Sequence, residues 1–379
     1  MNVLIDGTVL LGARGGVRRY VSGLTAALPR LDRSNRYTLL FRTFRGDRKA
    51  ALHRLVESGE VPRDAVRRLN VPERILGCFW HTWSLPLPWS RSLLGAGDVF
   101  VDSWYLAPRL RTTRLVAIVY DLLPLKVPEF YPVYHDAFRR RITTVVERAS
   151  MLVAISETTK RDLEFHCGVP PERIRVVHPG IESRFCPDGA AQLDQRVLQR
   201  YGIRGPYVLY VGSAHPNKQV PRLMEAWTLL RRRGVHHALV RCGSPPDASD
   251  RSREQGQTAH ADVINTGFVP DEYLPTLYRG ASAFVFVPAY EGFGLPPVEA
   301  MSSGVPVVVS DTPAIRESVG EAGLYVNPHQ PQEVADALER LLTDETLRRT
   351  QTARGLERAR CFTWTRSAHQ MLQVLQDVA

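Results

Sequence analysis

Glu291-Gly-Phe-Gly-Leu-Pro-Pro-Val-Glu299, continued by Ala300-Met-Ser-Ser-Gly-Val-Pro-Val-Val-Val-Ser-Asp311, is the stretch whose reading decides the fold. Two carboxylates lie eight residues apart and bracket two glycines and a Pro-Pro pair. Glycines let backbone amides come close to a phosphate, and a helix start favours the negative charge. Proline suits the first helical turn, where its missing N–H leaves nothing unpaired. The pattern predicts a loop, a short helix over Val298–Ser303 and a strand over Val305–Ser310. Glu299 then falls in the first helical turn, placed to accept two hydrogen bonds from a vicinal diol such as a ribose. Glu291 stays on the loop, on the other side of the glycines. A first-turn glutamate is also favoured by the helix dipole with no ligand present, so spacing alone leaves both readings open.

Outward from this stretch, apolar runs of strand length alternate with longer amphipathic segments, which predicts parallel α/β architecture. In the first half, strands fit Asn2–Ile5, Tyr37–Phe41, Asp98–Val101, Leu115–Val119, Met151–Ile155 and Ile174–Val177. Helices fit Val17–Leu31, Val133–Arg148 and Glu157–Phe165 between them. The polar stretch Glu182–Asp194, with Pro and Gly, reads as a hinge. The alternation then restarts, with strands at Tyr207–Val211, His237–Cys242, Val263–Asn265 and Ala283–Val287. Helices fit Pro221–Arg233 and Gln332–Leu342, and the tail Thr346–Ala379 is helical in pattern.

The totals agree. A chain of 379 residues with 44% apolar content predicts two domains, each able to bury a core. No run approaches the roughly 18 apolar residues a membrane span needs, and Met1–Asp6 reads as a first strand rather than a leader. Five scattered cysteines without a CxxC pair fit a reducing cytoplasm, and eleven histidines without ligand spacing predict no metal site. Net charge is +10, but it is spread along the chain rather than gathered in an arm, which argues against nucleic acid. It suits a bound diphosphate, or an acceptor at the inner leaflet of a membrane. Val71–Leu110 holds Trp80, Trp83, Trp89 and Trp104, four of the six tryptophans. They read either as core under a loop or as an acceptor pocket or membrane-facing edge.

The Glu291–Asp311 segment resembles the Glu-x7-Glu region of the retaining glycosyltransferases of the GT-B fold, family 4 (glycosyltransferase group 1), which includes bacterial mannosyltransferases. The resemblance extends from Gly15 to Trp364 and is stronger in the second half. It implies two Rossmann-like α/β domains facing across a cleft, with a C-terminal helix crossing back to the first. The implied bounds are 1–185 for an acceptor-binding domain, 186–360 for a nucleotide-sugar domain and 361–379 for the crossing helix; Phe362-Thr-Trp364 resembles the entry to it. Lys218, in Gly212-Ser-Ala-His-Pro-Asn-Lys218, matches the lysine that contacts the donor diphosphate. Many relatives carry a second cation where this chain has Ser213 or Asn217, and Arg18, Arg19 or Arg222 would have to replace it. Gly15-Gly16-Val-Arg-Arg-Tyr20 resembles the N-terminal loop near the donor phosphates, with Gly16 at the key place. Gly267-Phe-Val-Pro270 matches the nucleobase position, giving Val269 a donor contact. Gly292, Phe293, Gly294 and Leu295 would lie along the donor, with Glu291 at its sugar and Glu299 at its ribose. Val119-Tyr-Asp-Leu-Leu-Pro124 resembles the acceptor-side segment; Tyr120 stands where many members have histidine, and Asp121 would orient or deprotonate the acceptor. Ser156–Arg161 and Val177–Glu182 also follow the pattern.

These matches imply a cytoplasmic, metal-independent enzyme that moves a hexose from GDP-mannose or a UDP-hexose, with mannose favoured. The acceptor would be a glycan, a lipid-linked molecule or a small molecule, and no resident cofactor is implied. Two alternatives stay open: a sugar-nucleotide epimerase on the same fold, and a binding subunit that has lost activity.

Overall fold

The structure is a computed structural model and describes residues 1–12, 15–44, 46–72, 97–110, 112–243 and 262–379. Trp80, Trp83 and Trp89 lie outside the described residues, so the tryptophan-rich segment is represented by Trp104 alone. The chain forms two compact units, Met1–Gly180 with Thr363–Ala379, and Ile181–Phe362. The expected bounds at 185 and 360 therefore shift to 180 and 362. Ile181 and Phe185 explain the first shift: Ile181 N donates to Phe362 O, and the Phe185 ring packs edge-on against Tyr278, all within the second unit.

The first unit is built on seven parallel strands: β1 (Asn2–Asp6), β2 (Arg36–Arg42), β3 (Val66–Leu69), β4 (Val99–Asp102), β5 (Arg114–Val119), β6 (Met151–Ala154) and β7 (Ile174–Val176). Their order is β3-β2-β1-β4-β5-β6-β7. Val3 of β1 faces Tyr37 on one side and Val99 on the other. The second unit has six: β8 (Tyr207–Val211), β9 (Ala238–Cys242), β10 (Val263–Gly267), β11 (Ala283–Phe286), β12 (Val307–Ser310) and β13 (Gly323–Val326), ordered β10-β9-β8-β11-β12-β13. Strands β4, β6, β11 and β12 are buried at every position, as expected of parallel strands covered by helices on both faces.

Sequence patterning finds the central strands and misses two edges, β3 and β13. Val66-Arg-Arg-Leu69 and Gly323-Leu-Tyr-Val326 are partly exposed, so neither forms a continuous apolar run. The expected hinge, Glu182–Asp194, falls inside the second unit, and its last residues enter a helix, Ala191–Arg200, held by Asp194 to Arg279 and Thr276. Helices at Gly46–Glu57, Leu274–Arg279 and Pro313–Val319 likewise went unread. The helical tail is two helices, Glu345–Ala359 and Trp364–Val378, broken where Thr363 caps the second by accepting from Arg366 N at 3.2 Å. That last helix packs on Gly16–Leu31 in the first unit. Gly23 is what allows it: a Cβ there would sit 2.1 Å from the Trp364 indole. Among the described residues no helix is long and apolar enough to cross a membrane.

Candidate functional site

In an open α/β sheet, ligands bind beyond the carboxyl ends of the strands where the strand order reverses. In the second unit that point lies between β8 and β11. The loop leaving β8 carries Gly212 to Lys218, and the loop leaving β11 carries Val287 to Gly294. Asn217 fastens the two loops together. Its side-chain amide donates to Tyr290 O at 2.9 Å, its carbonyl accepts from Tyr290 N at 3.1 Å, and its own main-chain O accepts from Ala289 N at 2.8 Å. Held there, Lys218 Nζ pairs with Glu291 Oε1 and lies 5.1 Å from the centroid of the Phe286 ring. Both charged side chains are only about a fifth exposed.

Two backbone features surround the pair. Gln219, directly after Lys218, has φ 54°, a left-handed conformation uncommon for a side-chain residue and often associated with function. Gly294 has φ 90° and caps the helix Leu295–Ser302; a Cβ there would also meet Ile315 Cδ1 at 2.4 Å. The helix starts at Leu295, three residues earlier than expected. Pro296 and Pro297 then occupy its first turn, where they remove donors that would have no intrahelical partner. Glu299 consequently sits in the second turn rather than the first. It is buried, and its Oε2 accepts from the Tyr278 hydroxyl at 2.9 Å.

The other donor-side candidates divide by environment. Gly212 N donates to Cys242 O, and Ser213 is exposed while its carbonyl accepts from the Tyr210 hydroxyl. Gly292 is buried and Leu295 half-buried. The Phe293 side chain turns into the core, edge-on to Phe362 at 5.1 Å, so only its main chain is left to face a ligand. Val269 is buried, whereas its neighbour Phe268 is exposed. Of the three arginines considered as a second cation, Arg18 pairs with Glu60 and Arg222 with Glu225. Asn217 and Tyr278 are the positioning residues that sequence reasoning missed. Asn217 was visible only as an absent arginine, and nothing local marks Tyr278, which lies 21 residues before Glu299.

In the first unit, Gly16 opens the helix Gly16–Leu31 and is exposed; Gly15 before it has φ 96°, which only glycine adopts easily. Asp121 is half-buried, and its Oδ1 accepts from Leu123 N at 3.0 Å in a turn after β5. Tyr120, expected on the acceptor side, is buried. Its ring is buried 5.7 Å from Tyr20, and its hydroxyl donates to Ser103 O at 3.1 Å. Burial, reinforced by Tyr20, Tyr105, Asp102 and Asp6, holds this phenol well above its ordinary pKa. A ring of this size gains more from packing inward than a histidine would, and its one polar atom is already satisfied.

The comparisons follow the same division. A family model described as Glycosyltransferase Family 4 matches residues 14–185, and one described as Glycosyl transferases group 1 matches residues 205–344. O-antigen chain mannosyltransferase B of Escherichia coli is 32% identical over 268 residues, covering 69% of this chain and 69% of its own. D-inositol 3-phosphate glycosyltransferase of Salinispora tropica is 36% identical over 249 residues, covering 61% of this chain and 51% of its own. The chain spans about a third of the Escherichia coli serotype-specific mannosyltransferase WbdA, with 26% identity and 32% of that protein covered. Among solved structures, Anabaena Alr3699/HepE in complex with UDP and glucose superposes with a TM-score of 0.74 at 19% identity, 99% of each chain being covered. WaaG, a glycosyltransferase involved in lipopolysaccharide biosynthesis, gives 0.72 at 16%, again over 99% of each. These likenesses establish the GT-B fold, with two parallel-sheet α/β domains.

Proposed function

The chain belongs to glycosyltransferase family 4, and from that premise we propose that it transfers a hexose, with retention and without a metal, from a nucleotide sugar. The favoured donor is GDP-mannose, with a UDP-hexose as the other choice; the mannosyltransferase relatives support mannose. The acceptor is the hydroxyl of a glycan, lipid-linked or small molecule. No resident cofactor takes part, and the acceptor is taken at the inner face of a membrane or in the cytoplasm.

The observation that carries this reading is the Lys218–Glu291 pair at the β8/β11 switch point. With no donor bound, each charge neutralises the other. A donor would separate them: Lys218 turns to the diphosphate, and Glu291 to the sugar, whose anomeric carbon gains positive charge as the phosphate leaves. A fixed cation in a partly desolvated site stabilises that leaving charge far better than water does. Main-chain amides from Gly292 to Leu295, at the start of a helix, add to it. Glu299, oriented by Tyr278, takes the ribose hydroxyls, and Val269 and its neighbours line the base. Gly16 leaves room for the donor phosphates, and Asp121 orients the acceptor. The leaving phosphate oxygen takes the acceptor proton. Glu291 and Glu299 are not assigned the acid/base roles of a hydrolase.

The test is to incubate the protein with GDP-mannose, UDP-glucose, UDP-galactose and UDP-GlcNAc without metal and follow nucleoside diphosphate release. Slow release from one donor, lost in Lys218→Ala and Glu291→Ala, is expected. Neither release nor nucleotide binding with any donor would overturn the reading and favour a binding subunit that has lost activity.

A further inference from the structure

The first unit has its own reversal of strand order, between β1 and β4. Two acidic residues end these neighbouring strands, Asp6 and Asp102, and both are fully buried. Each holds the loop that follows it through hydrogen bonds to main-chain amides. Asp6 Oδ1 accepts from Thr8 N at 3.1 Å, and Asp6 O accepts from the Ser103 hydroxyl at 2.7 Å. Asp102 accepts from Trp104 N at 3.0 Å and from Ala107 N at 2.7 Å, one with each carboxylate oxygen.

The loop that Asp102 holds is strained. Tyr105 has φ 55° and Ala107 φ 42°, two side-chain residues in left-handed backbone within three positions. Such conformations persist only where the surroundings over-determine them, and they gather at ligand sites. Here the surroundings do so from several directions. The Tyr105 ring packs edge-on to Phe138 at 5.8 Å, its hydroxyl accepts from Tyr120 N at 3.4 Å, and Ala107 O accepts from Arg148 Nη1 at 2.7 Å. Tyr105, Leu106 and Ala107 are all buried. Trp104 alone among this group turns outward, with 40% of its surface exposed. A loop held in place beyond a switch point thus leaves one large aromatic side chain partly exposed to solvent.

We propose that Trp104 is an acceptor subsite, whose indole face stacks on the C–H-rich face of a pyranose ring, and that Asp102 is the positioning residue that holds it there. This rests on the glycosyltransferase reading and deepens it, because it makes the acceptor a sugar. The chemistry fits the side chain. The indole face carries the negative part of the ring quadrupole, and the axial C–H bonds of a pyranose carry partial positive charge. Burying the two apolar faces together adds to this, and a ring held in place loses little freedom on binding.

The test is direct binding of mannotriose, with maltotriose and chitotriose beside it, by saturation-transfer NMR and titration. Wild type, W104A, W104F and D102N are compared, and GDP and UDP binding is measured on the same samples. The expected result is one triose bound, weakened roughly tenfold in W104A and largely restored in W104F. D102N should weaken the triose and leave nucleotide affinity unchanged, since its amide accepts at one atom where the carboxylate accepts at two. Equal triose affinity in wild type and W104A overturns the proposal, as does a wild type that binds nucleotide and no triose. A wild type that binds no nucleotide defeats the donor reading instead, and the triose titrations still decide the subsite.

Discussion

Lys218 and Glu291 are a half-buried pair, so removing either leaves the other charge poorly solvated. For Lys218→Ala we expect turnover to fall about 10²–10³-fold, the usual cost of losing one fixed charge-stabilising group. Steady-state nucleoside diphosphate release measures it, and a loss under threefold would remove Lys218 from the chemistry. Glu299→Gln keeps the shape of its site and the contact with Tyr278, so it should weaken nucleotide affinity while leaving the melting temperature near wild type. Titration of GDP or UDP alongside a thermal melt checks both halves, and unchanged affinity would assign Glu299 to the core.

Asp102 titrates unusually. Burial, with a contribution from Asp6, pushes its pKa from 3.8 up to about 6, against the pull of the Ala107, Trp104 and Leu106 amides. Between those two values the folded chain binds a proton that the unfolded chain has released. Stability from this group is therefore complete below about pH 4 and is lost as pH rises through 6. Relative to D102N, wild type should lose roughly 2–3 kcal/mol between pH 4 and 7, read by urea unfolding. A flat difference across that range would mean that Asp102 ionises at its ordinary value. Asn217 does not stand out in the sequence as a positioning residue, since its partner Tyr290 lies 73 residues further along the chain. Lys218, Glu291, Glu299 and the glycines were legible because loop chemistry is local: a left-handed Gly294 must be glycine wherever the sheet puts it.

Strands were legible where an apolar run is continuous. Tyr207–Val211 and Ala283–Phe286 are almost wholly apolar and easily read, whereas Arg67 and Arg68 interrupt β3 because an edge strand has solvent beside it. Tertiary partners decided other cases. Glu182–Asp194 reads as a hinge, yet its last residues enter the helix Ala191–Arg200, which the Asp194–Arg279 ion pair secures, and that contact holds the Asp194 carboxyl below its usual range. At this scale the test is the contact between the first and last helices. Gly23→Ala would drive a methyl into the Trp364 indole, whose nearest atom is 2.1 Å from the built Cβ. We expect a loss of about 1–3 kcal/mol by urea unfolding. Gly205→Ala, with nothing within 4 Å of the added methyl, should change little and serves as the control. Equal stability of the two variants would mean that the last helix docks elsewhere.

At the scale of the whole molecule, the two units differ in how the chain completes them. The second is continuous, Ile181–Phe362, and each of its six strands comes from within that span. The first is closed only by the far end of the chain. Ala368, Met371, Val374 and Leu375 of Trp364–Val378 are buried, and Ser367 donates to His178 O at 2.6 Å. The amphipathic period of that helix records a buried face and not its partner; that it packs back on the first unit was an expectation of the family resemblance alone. The difference has a consequence for dissection. Residues 181–362 expressed alone should melt cooperatively and bind GDP or UDP, with Lys218→Ala weakening that binding. Residues 1–180 alone should lack a sharp melt and bind a hydrophobic dye, because the apolar face of Gly16–Leu31 has lost its cover. Fusing 363–379 behind residue 180 by a flexible linker should restore the melt. If residues 1–180 melted as sharply without the helix as with it, the helix would be an accessory of that unit. If 181–362 folded and bound no nucleotide, the Lys218–Glu291 pair would not suffice for a donor site, and the residues completing it would have to come from the first unit.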